Sequence, residues 1–290
     1  MSYFFELVFS ALAIGAIYGL VAMAYAVIYK STGLINFAQG EVGMVVAYVA
    51  WWGSSTFGTG AWSVALIAIV FGVALGLLIE RLVMRPMLGE PVFSAVLVTI
   101  GLAVVLRSLV MLIWGASPHK LDVGAVDAVI DLFGIGMRIS QISVFVTLLA
   151  AMAGAWFFFK YSRFGMAMRA VAADEKTARL MGISTARVQA VAWMASSVLA
   201  GLAGVFFAVI YDLSPTLYAI GLKAFPATVL GGLDAVIGSA GSGIIIGVVE
   251  NLVGGYMAST LKEVAGFLLI LVVLMVRPFG LFGEREIERV

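Results

Sequence analysis

The chain has no cysteine and a single histidine, His119. The first absence excludes disulfides, thiolate metal sites and thiol nucleophiles, and the second excludes a histidine cluster. No Gly-x-x-x-x-Gly-Lys-Ser/Thr loop occurs, so the chain cannot cradle nucleotide phosphates by that device. Any ATP hydrolysis must come from another subunit. There is also no paired acidic motif, so a convergent catalytic set for a membrane-embedded enzyme is lacking, and no cofactor is expected. Charge is scarce, at 11% of the 290 residues against 63% hydrophobic. With a mean hydropathy of +1.14, this is the composition of an integral membrane protein. The net charge of +1 says nothing about partners, and no nucleic acid is expected among them.

What is present is a series of apolar runs. Blocks such as "IIIGVVENLV" and "FLLILVVLMV" lack the alternation that a lipid-facing strand requires, so the spans are helical. They are expected near Phe5 to Tyr29, Gly33 to Trp52, Ala61 to Ile79, Val92 to Trp114, Ser140 to Phe159, Val188 to Tyr211, Ile220 to Leu230, Ile237 to Tyr256 and Leu261 to Val276. The start "MSYFFELVFS" has no basic region and reads as a first transmembrane helix, not a cleaved signal. The expected fold class is an all-α polytopic membrane protein of about eight or nine spans, forming one permease domain over residues 1–290. Lys30, Arg81, Arg85, Lys160, Arg163, Arg169, Lys176, Arg179, Arg187, Arg277, Arg285 and Arg289 fall on one side, which the positive-inside rule makes cytoplasmic. The loop Gly115 to Arg138, with Asp122, Asp127 and Asp131, lies opposite. The N-terminus is then outside and the C-terminus inside.

Position suggests roles for the intramembrane charges. Arg107, two turns from Trp114, is expected to snorkel to the outer interface, and Glu80 to sit at the interface beside Arg81. Glu250 and Asn251 follow a run of glycine and aliphatic residues, and are either structural or line a pathway. Gly15 and Gly19, Gly72 and Gly76, and Ser239, Gly243 and Gly247 recur every four residues, a spacing that lets helix backbones approach closely.

"AVIY" followed by "GLINFA" after the first helix is echoed by "AVIY" followed by "GLKAFPA" after the sixth. Opposite helix directions make this an inverted repeat, with halves near 5–160 and 188–280. Such repeats place short broken helices near the centre, and non-helical backbone survives at membrane depth only against protein or a water-filled path. Gly33 and Gly40 bracket the first break; Gly221, Pro226, Gly231 and Gly232 mark the second. Asn36, Phe37, Gln39 and Glu41, with Phe225 and Pro226, are the candidate translocation-path residues. Asn36, Gln39 and Glu41 could equally serve only to satisfy the broken backbone.

The stretch 160–188 is the longest basic-side connection and opens with helix formers. At helical spacing Ala167, Ala170, Val171, Ala178 and Met181 line one face of an amphipathic helix that Gly182 ends. Glu175, Ala178 and Gly182, spaced E-x-x-A-x-x-x-G, resemble the coupling-loop motif of bacterial ABC-importer permeases. With "GLINFAQGE", "YSRFGMAMRAVAADEKTARLMGI", "GLKAFPATVLGG" and "VLMVRPFGLFG", the chain resembles, over nearly its whole length, the branched-chain amino-acid ABC transporter permease family of the high-affinity leucine/isoleucine/valine type. Gln39 stands where that family has His, and Asp234 lies where a "GGIGS" segment would follow.

The resemblance implies an importer subunit in a bacterial inner membrane, two cytoplasmic ATP-binding subunits, a homologous second permease subunit forming a heterodimer, and an external solute-binding protein. It also implies that Arg169, Asp174, Glu175, Ala178 and Gly182 couple the permease to its ATPase. An ion-coupled secondary transporter using Glu41 or Glu250 is the alternative, as is an ABC permease for urea or short amides.

Overall fold

The computed structural model describes residues 2–58, 60–124, 128–132 and 135–283. Asp127, Arg285 and Arg289, used above for orientation, lie outside the described residues. The chain runs α1 (Ser2–Thr32), α2 (Gln39–Phe57), α3 (Ala61–Ile79), α4 (Val92–Trp114), a hairpin of β1 (Val129–Leu132) and β2 (Ile135–Arg138), and then α5 (Ile139–Tyr161). It continues through α6 (Arg163–Ala173), α7 (Glu175–Leu180), α8 (Thr185–Ile210), α9 (Ala219–Gly231), α10 (Val236–Tyr256) and α11 (Ser259–Val276). Among the described residues six helices are long and apolar enough to cross a membrane: α1, α3, α4, α5, α8 and α10.

The bundle is organised around α1, a helix of 31 residues, about 46 Å long. It is apolar on all sides and buried almost without interruption from Ala11 to Ile28, as expected of a helix walled in by others. In contrast, α3, α4 and α5 turn long rows of Leu, Val, Ile and Phe outward. Helices far apart in the chain pack on one another. α1 crosses α10, where a Cβ at Gly15 would stand 2.8 Å from Ile244 Cα and one at Gly19 2.8 Å from the Ala240 carbonyl. α3 crosses α8, where a Cβ at Gly76 would stand 2.8 Å from Met194 Cα. Both crossings bring backbone against backbone, as the four-residue glycine spacing predicts.

Several expectations are corrected. Pro226 does not break a helix: it lies inside α9, which is continuous over its 13 residues, and the irregular stretches fall on either side of it. At about 20 Å, α9 is too short to span a bilayer alone. Glu80 turns inward to Arg85. It is fully buried, on a five-residue π turn (Glu80–Met84) whose wide spacing brings Arg85 back over it, with Nε and Nη2 each donating to its carboxylate at 3.0 Å. The basic-side loop is two helices instead of one, because Asp174 caps a new start. Val171 and Ala178 are buried as expected, but Met181 is 79% exposed.

On the side opposite that loop, His119 and Leu213 exchange backbone hydrogen bonds of 2.8 and 2.9 Å. The imidazole of His119 stacks on Trp51 at 4.1 Å. The α4–β1 connection is thereby clasped to the stretch between α8 and α9.

Candidate functional site

The polar stretch after α1 folds into a compact irregular segment, 33–38, in the middle of the bundle. Ending α1 and starting α2 there frees backbone donors and acceptors that water cannot satisfy, and the side chains supply partners. Asn36 Oδ1 accepts from the Ala38 N–H at 3.0 Å, and its Nδ2 donates to Gln39 Oε1 at 2.8 Å. Gln39 Nε2 donates in turn to the Ser196 carbonyl on α8 at 3.3 Å, and Ser196 Oγ donates to the Ala24 carbonyl on α1 at 2.8 Å. The Phe37 N–H finds Thr99 Oγ1 on α4 at 3.2 Å. Asn36 and Gln39 are each 1% exposed, so these amides stitch the break to its neighbours. Phe37, at 38% exposure, is turned toward open space.

The two breaks meet. A Cβ at Gly221, in the first turn of α9, would stand 2.7 Å from the Gly40 nitrogen at the start of α2. Side chains converge at the same level: Phe225 makes an edge contact with Tyr25 at 5.9 Å and a tilted one with Phe37 at 6.4 Å. Pro226 is buried behind them. Glu41, buried in the first turn of α2, receives Arg107 Nη2 from α4 at 2.5 Å. The guanidinium also lies 3.4 Å above the Tyr218 ring. Arg107 therefore does not snorkel outward. A partner that sequence position could not show holds it inside, bridging α2 and α4 to the short 3-10 turn (Pro215–Tyr218) ahead of α9. Thr99, Ser196 and Tyr218 escaped the sequence reading, since a single hydroxyl in an apolar helix, or one aromatic ring in a turn, carries no distinguishing signal.

In the basic-side loop Ser162 caps α6 by accepting from the Phe164 N–H, and Asp174 caps α7 by accepting from the N–H groups of Lys176 and Thr177. The Thr177 side chain and backbone, followed by the Lys176 N–H, hold the Asp174 carboxyl below the usual carboxylate range. Glu175 accepts from Arg179 Nη2 at 2.6 Å, and Arg179 Nε reaches Thr185 Oγ1 at 3.2 Å. Ala178 is buried. Gly182 closes the turn at φ +83, where the Ile183 N–H returns to the Ala178 carbonyl at 3.0 Å. Next to it Leu180 and Met181 stand 87% and 79% exposed. Arg169, Asp174 and Glu175 share with the end of α1 a cavity of about 880 Å³, across which Lys30 Nζ donates to the Asp234 carbonyl at 3.0 Å. Among the described residues, no group of three His, Cys, Asp or Glu side chains could hold a metal ion.

Residues 7–276 match the family described as "Branched-chain amino acid transport system / permease component". The high-affinity branched-chain amino acid transport system permease protein LivH of Escherichia coli is 34% identical, over 99% of this chain and 98% of its own length. The corresponding permease protein BraD of Pseudomonas aeruginosa is 32% identical, over 97% of this chain and 96% of its own.

Proposed function

The chain belongs to the branched-chain amino acid transport system permease family, and on that premise we propose how its parts divide the work of an ATP-driven importer. It is a permease subunit, a multi-pass membrane protein that carries solute and not a hydrolase. Its partners are two cytoplasmic ATP-binding subunits, a homologous second permease subunit and an external solute-binding protein. The N-terminus is outside and the C-terminus inside, with eight or nine membrane-depth helices once the more polar α2, the short α9 and the terminal α11 are included. The halves 5–160 and 188–280 are inverted repeats. Their support is the exchange in which α1 packs on α10 and α3 on α8, together with the meeting of the two breaks at Gly40 and Gly221.

Residues Arg169, Asp174, Glu175, Ala178 and Gly182 form the coupling loop. The observation that carries this is the exposed Leu180–Met181 pair beyond the membrane-spanning helices, an apolar knob beside a fixed turn, suited to a groove on a partner subunit. A Cβ at Gly182 would meet nothing within 4 Å, so its requirement is backbone conformation. A β-branched residue there costs about 1–2 kcal/mol, whereas asparagine tolerates that region. Gly182→Val is expected to lower solute-stimulated ATP hydrolysis of the reconstituted complex by about tenfold, and Gly182→Asn to leave it near normal. Normal coupling in both variants would end the assignment.

Phe37 and Phe225 face the translocation path, with Asn36, Gln39, Glu41 and Pro226 forming its buried wall. A cysteine replacing Phe37 is expected to react with a water-soluble thiol reagent about tenfold faster than one replacing the lipid-facing Val272, because thiolate forms only where water reaches. Labelling of Phe37→Cys should also block uptake. Equal rates at the two positions would refute the path. The solute is a branched-chain amino acid; ATP-driven uptake of leucine, isoleucine and valine, compared with urea and acetamide, decides between the two solute classes.

A further inference from the structure

The segment "RPFGLFG", Arg277 to Gly283, follows α11 and belongs to neither the coupling loop nor the path described above. Proline in its second position presets a turn, and the Arg277 carbonyl accepts from the Gly280 N–H at 3.1 Å. Gly280 continues at φ +81, a conformation that glycine adopts at no steric cost. The chain is thereby turned back onto the end of α9. The last carbonyls of a helix have no partner within it, and here the strand beyond the turn supplies them. The Leu281 N–H donates to the Leu230 carbonyl at 2.8 Å and the Phe282 N–H to the Gly231 carbonyl at 3.1 Å. Glycines bring the two main chains together: a Cβ at Gly280 would stand 2.7 Å from the Gly232 nitrogen, and one at Gly232 2.6 Å from the Gly283 nitrogen. Phe282 also reaches the start of α10, where a Cβ at Gly238 would stand 2.7 Å from its own Cβ. Backbone held against backbone in this way has little compliance, and such packing transmits displacement instead of absorbing it.

What lies at either end of this joint gives it a use. Pro278 and Phe279, at the tip of the turn, line the cavity of about 880 Å³ whose other wall includes Arg169, Asp174 and Glu175 of the coupling loop. In the other direction Phe225 lies about 9 Å along α9 from Gly231, and meets Phe37 and Tyr25 at the level of the two breaks. We propose that Arg277–Gly283 is a strap that carries movement of the coupling loop to α9, with Leu281 and Phe282 as positioning residues that set where Phe225 stands in the path. The proposal rests on the importer reading above and adds to it the route by which the loop reaches the constriction. The cavity is the working gap. When the loop advances into it, the loop bears on Pro278 and Phe279, and α9 is displaced through its own cap. The irregular stretches on both sides of this short helix are where such a shift is absorbed.

The native chain has no cysteine, so cysteine pairs can be introduced and bridged with a short bifunctional maleimide in the complex assembled with its partner subunits. Leu233→Cys with Phe279→Cys lies within the joint, on one side of the gap, and Ala172→Cys with Phe279→Cys spans the gap. Each bridged pair is compared with the same pair unbridged. Bridging within the joint is expected to leave ATP-driven uptake within about twofold, and bridging across the gap to lower it at least about tenfold, the usual scale of coupling between two sites. Gly280→Val, which strains the turn and pushes it off Gly232, is expected to lower the solute carried per ATP hydrolysed about tenfold while basal hydrolysis stays near normal. A strap of merely structural use would lower uptake and hydrolysis in proportion, through lost folded protein, and leave that ratio unchanged. That result overturns the proposal, as do two bridges that act alike or inhibition by the first bridge alone. The importer reading is judged separately, by ATP-driven uptake in the unbridged protein. If that uptake is present while the two bridges act alike, only the strap fails. If Gly280→Val does not assemble, the two bridges still decide.

Discussion

Gly243→Leu is expected to leave little folded protein in the membrane. In lipid no hydrophobic effect drives one apolar helix onto another, so α1 and α10 are held by the closeness of their surfaces. That closeness is limited by backbone: a Cβ at Gly243 would overlap the nitrogen and Cα of Gly19, and one at Gly247 those of Gly15. Main chain cannot rotate aside as a side chain can. The helices would have to separate along their whole crossing, losing contacts at every level of the central helix. Overpacking in a well-packed core costs about 1–3 kcal/mol and more when backbone must move, a large part of an ordinary stability. Gly243→Ala should fall between. Gly76→Leu, at the equivalent crossing of α3 with α8, should match Gly243→Leu. The measurement is the midpoint of thermal aggregation in detergent, and a wild-type midpoint for Gly243→Leu would show that the crossing is looser than described.

Arg107→Met is expected to have an effect of similar size for a different reason. It strands the carboxylate of Glu41, whose side chain is only 4% exposed, with no ammonium or guanidinium against it. Breaking a buried pair from one side costs about 3–5 kcal/mol, whereas replacing both partners with apolar groups is often neutral. Glu41→Met alone should be milder, since the Arg107 side chain keeps 34% exposure and its seat over Tyr218. The double variant Glu41→Met with Arg107→Met should recover most of the thermal midpoint lost in Arg107→Met. If the double variant is instead the least stable of the three, the ion pair is a net stabiliser and the order argued here is wrong.

The same pair shows what a sequence reveals and what it withholds. The ends of α3 and α4 were legible to the residue, because Gly, Glu and Pro punctuate hydropathy sharply at Ala61, Ile79, Val92 and Trp114. The meeting of Phe37 with Phe225 was legible as well, through the echo of "GLINFA" in "GLKAFP". Depth alone placed Arg107 near the outer interface, but depth says nothing of which helix face a residue occupies, and its partner lies on α2. The partner of Glu80 was missed for a related reason: a π turn changes which residues share a face, and pairs it with the residue five positions on. Asp174 could have been read correctly, since an aspartate ahead of Lys176 and Thr177 is a helix-start signal. Met181 was placed on the buried face and Leu180 was overlooked, because helical spacing was read straight across Asp174, where a second helix starts.

The packing of α1 on α10 also bears on how the chain is made. The glycines of α1 find their counterparts only in α10, which leaves the ribosome near the end of synthesis. At about 5–20 residues per second, α1 waits on the order of ten seconds or more with its narrowest surface unfilled. During that interval no arrangement of the helices already inserted can complete it, because the matching glycines do not yet exist. Long-range closure of this kind is slow and leaves partly built surfaces exposed. Insertion machinery or lipid must occupy the groove on α1 and then yield it, so biogenesis is where a substitution in α10 would first be felt, before any solute is carried.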